Sequence, residues 1–342
     1  TSPYFFVPPS GTTAERPENC AAGTLRFNTD IGSLEVYRGD TIGWEQILKR
    51  EGQYLGGSIG PTFAGSNNGT GTRGIYAGGN TPSYIQKIEF ITISTMGSPL
   101  GFGDLTIAST GRSGTASRTR GLFTGVGNAP SGQSNVIEFI TISSTGDGTD
   151  FGDATIGQGY RGGCSNEIRS VTGGQNTGGN VIDYVTIASL GDAVDFGDLS
   201  YNCSTPIAFA SSTRGIFGGS TGNASDFGSL RFGTVASDGC CNAIRGVAKL
   251  RGGSYVNDID FITIATQGNS VNFGDATNNA GGTAPMSSST RAVFAGGYGS
   301  PAFRNDIFKV EIATTGNAVD FGGDVSYSAD HLAGFSNGHG GL

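Results

Sequence analysis

The stretch Thr119 to Ile156, TRGLFTGVGNAPSGQSNVIEFITISSTGDGTDFGDATI, decides the fold because the chain repeats it. TRGIYAGG, IEFITIS and GFGDLTI follow in the same order from Thr72, and IRSVTGGQNTGGNVIDYVTIASLGDAVDFGDLS runs from Ile168. Three further copies open at Thr213 (TRGIFGGSTGNASDFGSL), Val247 (VAKLRGGSYVNDIDFITIATQGNSVNFGDAT) and Thr290 (TRAVFAGGYGSPAFRNDIFKVEIATTGNAVDFGGDV). Their spacing is near the roughly 40 to 50 residues of one four-stranded blade in a β-propeller.

Within a copy, Ile75, Tyr76 and Ala77 before Gly78 and Gly79 read as a short strand closed by a glycine turn. Ile88 to Ile93 alternates with period two, and apolar side chains fall on both faces, so this strand is covered twice. FGDLTI and the small-residue stretch GRSGTAS from Gly111 supply two more strands. At the C-terminus HLAGFSNG from His331 matches YRGGCSNE from Tyr160; with no following partner in sequence, it closes a ring against the first blade and removes a free edge. The fourth copy is short. Either its central strand is deleted, or Ser229 to Ala236 supplies it. The expected fold is all-β, a propeller of six blades with seven as the alternative, covering residues 51–342.

Composition agrees. Gly 61 and Pro 11 in 342 residues stay below the roughly 25–30% at which aperiodic Gly/Pro composition reads as disorder. Charged residues make up 14%, so Ser, Thr, Asn and Gly must cover much of the surface, as suits an extracellular or virion protein. The net charge of −8, without a basic stripe, argues against a nucleic-acid partner. The longest apolar runs fall far short of the roughly 20 residues of a membrane span, so no membrane insertion is expected. TSPYFFVPPS at the start lacks a positive segment and is not a signal peptide, which fits assembly in a host cytoplasm and release by lysis. Cys20, Cys164, Cys203, Cys240 and Cys241 are odd in number and lack CxxC spacing, and are expected as buried free thiols.

The paired glycines Gly78/Gly79, Gly173/Gly174, Gly218/Gly219, Gly252/Gly253 and Gly296/Gly297, with Asn257/Asp258 and Asn305/Asp306, resemble kelch repeats. The second copy departs from that pattern at Gly125, and the repeats lack the kelch Trp, since Trp44 lies outside them. Residues 1–50 differ in character: TLRFN and SLEVYR flank Thr29-Asp30-Ile31-Gly32, a hairpin signal. Thr12 to Pro17, Gly23 to Asp30 and Trp44 resemble a module of bacteriophage tail-fibre and virion-appendage proteins. That resemblance implies a virion attachment protein (tail fibre, spike or capsid fibre) whose residues 1–50 dock it to other virion proteins and assemble as a homotrimer. The displayed propeller would recognise a host-surface glycan or protein. The rival is a kelch-like lectin or interaction scaffold without a virion.

Asp-Phe-Gly at Asp150, Asp195, Asp226 and Asp320 matches the kinase magnesium motif in letters only, because the companion kinase motifs are missing. Asp147/Asp150/Asp153 and Asp192/Asp195/Asp198 are weak calcium candidates, since turns select Asp for its local backbone bonds as well. Arg73, Arg120, Arg169, Arg214 and Arg291 open most copies, and a clamp onto Asp104, Asp153, Asp198 and Asp275 is expected. The histidines, His331 and His339, sit at the C-terminus and the carboxylates repeat rather than converge, so no enzyme and no cofactor are expected. Loops after the glycine turns differ in every copy, and their aromatics Tyr84, Tyr255, Tyr298 and Phe303 are the candidate ligand-stacking residues.

Overall fold

The computed structural model describes residues 8–17, 20–30, 33–39, 43–46, 73–175, 179–218, 227–231, 238–251 and 256–337. The chain divides into two compact units, Thr1–Gln53 and Tyr54–Leu342. It is all-β and built of small, mostly antiparallel sheets.

In the first unit, strands Ser10–Gly11, Leu25–Asn28, Ser33–Tyr37 and Trp44–Gln46 form one sheet in chain order. The residues that carry the appendage-like motif are partners of one another. Arg16 holds the buried Glu35 through Nε at 3.2 Å and through Nη2, and Arg26 lies beside the same carboxylate. The Arg16 hydrogen bonds hold Glu35 below the usual carboxylate range although burial pulls it the other way. Asp30 accepts from the Thr13 N–H at 2.8 Å, and the Trp44 indole donates to the Pro17 carbonyl at 3.3 Å.

The second unit carries the repeats. Sheet 1 pairs Arg73–Ala77, Lys87–Thr92 and Leu100–Asp104, and takes the C-terminal Ala333–Ser336 as its first strand. Sheet 2 runs Ser113–Ala116, Arg120–Val126, Ser134–Thr141 and Thr149–Asp153; sheet 3 runs Gly162–Ser165, Arg169–Gly173, Gly179–Thr186 and Val194–Cys203. Sheet 4 pairs Ile207–Ala210 with Gly215–Gly218. Sheet 5 comprises Asp238–Cys241, Arg245–Lys249, Asp258–Thr263 and Val271–Asp275, and sheet 6 Ala284–Ser287, Arg291–Ala295, Asp306–Glu311 and Val319–Asp324. The fifth copy therefore begins before Val247, and Arg245 is its opening arginine.

The core lies between consecutive sheets, which is why the third strands are apolar on both faces. Tyr76, Ile91 and Ile93 of sheet 1 pack with Met286, Val293 and Phe321 of sheet 6, and Ile75, Ile88 and Phe102 pack with Phe123, Ile140 and Ile142 of sheet 2. Between sheets 3 and 4 the cluster shrinks to Cys164, Ala208 and Ala210, with Val171 and Phe217 partly buried.

Each first strand packs against the first strands of the sheets before and after it, the last such pair being Ala284–Ser287 with Ala333–Ser336. Side chains tie them sideways: Ser165 Oγ donates to the Ala116 carbonyl at 2.8 Å, Cys241 Sγ to Ala210, Ser287 Oγ to Cys241 and Ser336 Oγ to Ser287. Small residues are required here; a Cβ on Gly114 would come within 2.5 Å of the Gly334 carbonyl oxygen.

In the short fourth copy the carbonyls of Phe227 and Ser229 accept the Gly268 and Ser270 N–H groups of sheet 5. Phe102 and Asp104 of sheet 1 make the equivalent pair of bonds to Gly146 and Gly148. Phe227–Ser229 thus take the outermost-strand role, and residues 232–236, the rest of the Ser229 to Ala236 alternative for the central strand, lie outside the described residues.

Candidate functional site

Five of the opening arginines reach the next sheet, where their acceptors are carbonyls and not the expected aspartates; Arg291 also donates through Nε to Glu311 of its own sheet at 2.9 Å. Arg73 Nη1 donates to Ile142 at 2.7 Å, Arg120 to Ile187 at 2.7 Å, Arg214 to Ile264 at 3.0 Å, Arg245 to Ile312 at 2.9 Å and Arg291 to Ile93 at 3.0 Å. The physical reason is position: each arginine lies at the end of a strand, beside the carbonyls that follow the neighbouring third strand.

The aspartates have a different task. The turn before each outermost strand bonds back to the preceding sheet, where Asp147 Oδ1 accepts the Asp104 N–H at 2.9 Å and Asp192 Oδ1 accepts that of Asp153 at 3.0 Å. Asn269 and Asn317 make the same bond to Ser229 and Asp275. Asn serves as well as Asp because the acceptor is one side-chain oxygen. Asp195 accepts from its own Gly197 N–H at 2.9 Å, and Asp150, Asp153 and Asp198 occupy ladder positions on outermost strands. Among the described residues, no group of three His, Cys, Asp or Glu side chains gathers that could hold a metal ion. Asp226 lies outside the described residues.

A buried acid in the third strand was not singled out from sequence, although its recurrence as I-E-F, I-D-Y and I-D-F was available. Glu89, Glu138, Asp183 and Asp260 are all buried. Glu138 accepts from the Thr106 N–H of sheet 1 and from Arg112 Nη2 at 2.9 Å; Asp183 accepts from Thr155 of sheet 2 and from Arg161 Nη1 at 2.9 Å. Burial opposes the charge on Asp183, yet Arg161 and the Thr155 and Thr172 hydroxyls hold its carboxyl below the usual range.

Arg112 and Arg161 sit at one end of the bundle of first strands, where the molecule has a polar mouth. Its rim is formed by residues in the left-handed region: Gly111 (φ 69°), Tyr160 (58°), Thr205 (53°), Gly282 (71°) and His331 (51°). Three are not glycine, and such backbone strain is held at places the surrounding structure over-determines. The rim is stitched by main-chain bonds, with Gly111 N–H on His331 O, Tyr160 N–H on Gly111 O and Thr205 N–H on Tyr160 O. The Tyr160 ring meets the His331 ring edge-on at 5.2 Å, its hydroxyl accepts from Asn128 Nδ2 at 2.9 Å, and burial raises its pKa.

Beneath the rim lies a cavity of about 110 Å³ lined by Arg112, Ser113, Arg161, Asp238 and Thr283 among others. Asp238 accepts from the Thr283 N–H at 2.8 Å and hydroxyl at 2.9 Å, and loss of solvation pushes its carboxyl up to about 6. It is the one carboxylate among the described residues that line this cavity. Lys249, in register with Asp238, is fully buried, and burial lowers its ammonium to about 8.

The predicted stacking residues reach the same end. Asn80–Thr81 pairs with Ser83–Tyr84, and Tyr298–Gly299 with Ala302–Phe303, as two small hairpins. Asn80 bridges to Asp330 beside His331, and Tyr298 to Gly281 beside Gly282. Tyr298 and Phe303 meet edge-on at 5.2 Å. Tyr84, Tyr298 and Phe303 are all partly exposed. Tyr255 and His339 lie outside the described residues. No family model matches the sequence, and no curated protein matches it.

Proposed function

We propose that the repeat unit is a six-bladed, kelch-like β-propeller displayed by a virion attachment protein. In this reading sheets 1 to 6 are the blades, the short fourth blade included. The circular succession of first strands supports it, as does the place of Ala333–Ser336 in sheet 1, which leaves no strand of the first blade for the N-terminal side to supply.

The recognition face is the one that carries the polar mouth, and its ligand is a host-surface glycan or protein. The observation that carries this is the pair of aromatic hairpins, Tyr84 and Tyr298/Phe303, standing beside a rim of strained, non-repeating residues. Aromatic faces with polar neighbours suit sugar rings. The repeated acids are spent on structural bonds, which favours a binding role over catalysis. The full chain applied to an array of bacterial surface glycans tests the reading: Phe303→Ala is expected to weaken the positive signals about tenfold. Binding unchanged by both Tyr84→Ala and Phe303→Ala would remove this face as the site.

The docking half rests on residues 1–50. Deleting them is expected to abolish incorporation into particles, and a shortened chain that still incorporates refutes it. A non-virion lectin would keep the glycan signals and associate with no particle. Light scattering of the full chain tests the homotrimer, at three times the 34.8 kDa chain mass.

A further inference from the structure

Sheets 1, 2 and 5 share a three-residue stack. Arg73 lies 4.6 Å over the Phe90 ring, which meets Phe102 edge-on at 6.1 Å; Arg120, Phe139 and Phe151 repeat it at 4.6 and 6.1 Å, and Arg245, Phe261 and Phe273 at 4.6 and 6.0 Å. In each case the next sheet covers the stack. The guanidinium donates to a carbonyl there, and Phe102, Phe151 and Phe273 are only 3–4% exposed.

Sheet 3 builds the same stack and leaves it bare. Arg169 lies 4.5 Å over Tyr184, and Tyr184 meets Phe196 edge-on at 5.9 Å. Yet Phe196 is 56% exposed, with Ile168 and Leu190 exposed on the same sheet, and among the described residues the Arg169 guanidinium donates to no acceptor. The next sheet is the two-stranded one, whose strand Gly215–Gly218 has one described neighbour, Ile207–Ala210. Only Gly219 to Asp226 separate that strand from Phe227, which is already bonded to sheet 5. The corresponding stretch of sheet 1, Gly78 to Gly101, contains the whole third strand.

We infer that a β-strand from another polypeptide completes this place. It would run along the edge of Gly215–Gly218 that has no partner among the described residues, set an aliphatic side chain against Tyr184 and Phe196, and accept the Arg169 guanidinium on a main-chain carbonyl. The chemistry of the occupant is read from the arginines that reach a neighbouring sheet: Arg214, Arg245 and Arg291 each donate to two consecutive carbonyls, Ile264–Ala265, Ile312–Ala313 and Ile93–Ser94. The partner segment is therefore an extended strand with an isoleucine-like residue followed by a small one. A sugar could lie on the aromatic rings but would not pair with the main-chain donors and acceptors along this edge, which have no partner among the described residues, whereas an added strand satisfies both.

The probe is a fluorescently labelled synthetic peptide, DIDFITIATQ, copied from Asp258 to Gln267, titrated with the full chain and followed by anisotropy. Saturable binding is expected, absent for a scrambled peptide of the same composition. Arg169→Met and Phe196→Ser should each weaken it about tenfold, the scale of one charge-assisted hydrogen bond or one covered aromatic. Amide exchange should slow at Gly215–Gly218 when the peptide binds. No saturable binding, binding indifferent to both substitutions, or protection confined to other strands overturns the inference. Both side chains are exposed, so the variants are expected to fold, and neither touches the mouth; glycan binding should be unchanged in them, which keeps this test separate from that of the recognition face.

Discussion

Replacing Arg120 by methionine, beside the same change at Arg169, isolates the energy of one clamp between sheets. Arg120 donates to the Ile187 carbonyl at 2.7 Å and lies 4.6 Å over Phe139, while Arg169 keeps only the ring contact, at 4.5 Å over Tyr184. A hydrogen bond to a charged group contributes about 1.5–3 kcal/mol, and a partly exposed cation–π contact about 0.5–1 kcal/mol. Methionine retains most of the apolar stem, so Arg120→Met should cost about 2 kcal/mol and Arg169→Met well under 1 kcal/mol. At roughly 2–4 °C per kcal/mol for a domain of this size, the melting temperatures should fall by about 4 °C or more and by at most about 2 °C. Circular dichroism follows the repeat unit, whereas fluorescence of Trp44 reports the N-terminal unit alone. Equal losses in the two variants would refute the carbonyl clamp as a stabilising device.

Three more outcomes are expected. Gly103→Ala should cost about 2–3 kcal/mol in urea unfolding, because its Cβ would meet the Gly146 carbonyl oxygen at 2.2 Å, whereas Gly101→Ala, with nothing within 4 Å, should be near neutral. Asp238 titrates near 6 in the folded chain against 3.8 ordinarily, so the folded state holds its proton more tightly; stability from this group is greatest below about pH 4 and falls as pH rises through 6. Asp238→Asn should therefore stabilise the protein at pH 7.5 by about 2 kcal/mol in chemical denaturation and make no difference at pH 4. In thiol titration Cys20 should react within minutes in the native protein, while Cys164, Cys203 and Cys241, buried with thiols pushed up to about 12, 11 and 11, and Cys240 likewise raised, wait for denaturant.

The repeat was legible because it is written in residues whose roles are local or alternate with period two. Ile88 to Ile93 announces a strand covered on both sides, the glycine pairs announce turns, and the match of His331 to Tyr160 announces a first strand that belongs to the sheet of Arg73. The shortness of the fourth copy was visible too. What the sequence could not convey is which atoms the recurring polar residues address, since Arg120 and Ile187, or Asp147 and Asp104, meet only because successive sheets stand side by side.

For the same reason an arginine in fixed sequence company with aspartates was matched to them, when a carbonyl at the end of the neighbouring strand lay within reach. The carbonyl partner of Arg245 and the hydroxyl and guanidinium donors of the buried acids likewise come from residues distant in sequence. The mouth, with Tyr160, Thr205 and His331 in left-handed conformations above Asp238, gathers one residue from each of several repeats. The sequence by itself determined the strands, their order and the place where a copy falls short, because those depend on periodicity and length. Only the tertiary structure decided that this shortfall bares Arg169, Tyr184 and Phe196, because covering them is the work of a neighbouring sheet, and no residue of sheet 3 records whether that neighbour is whole.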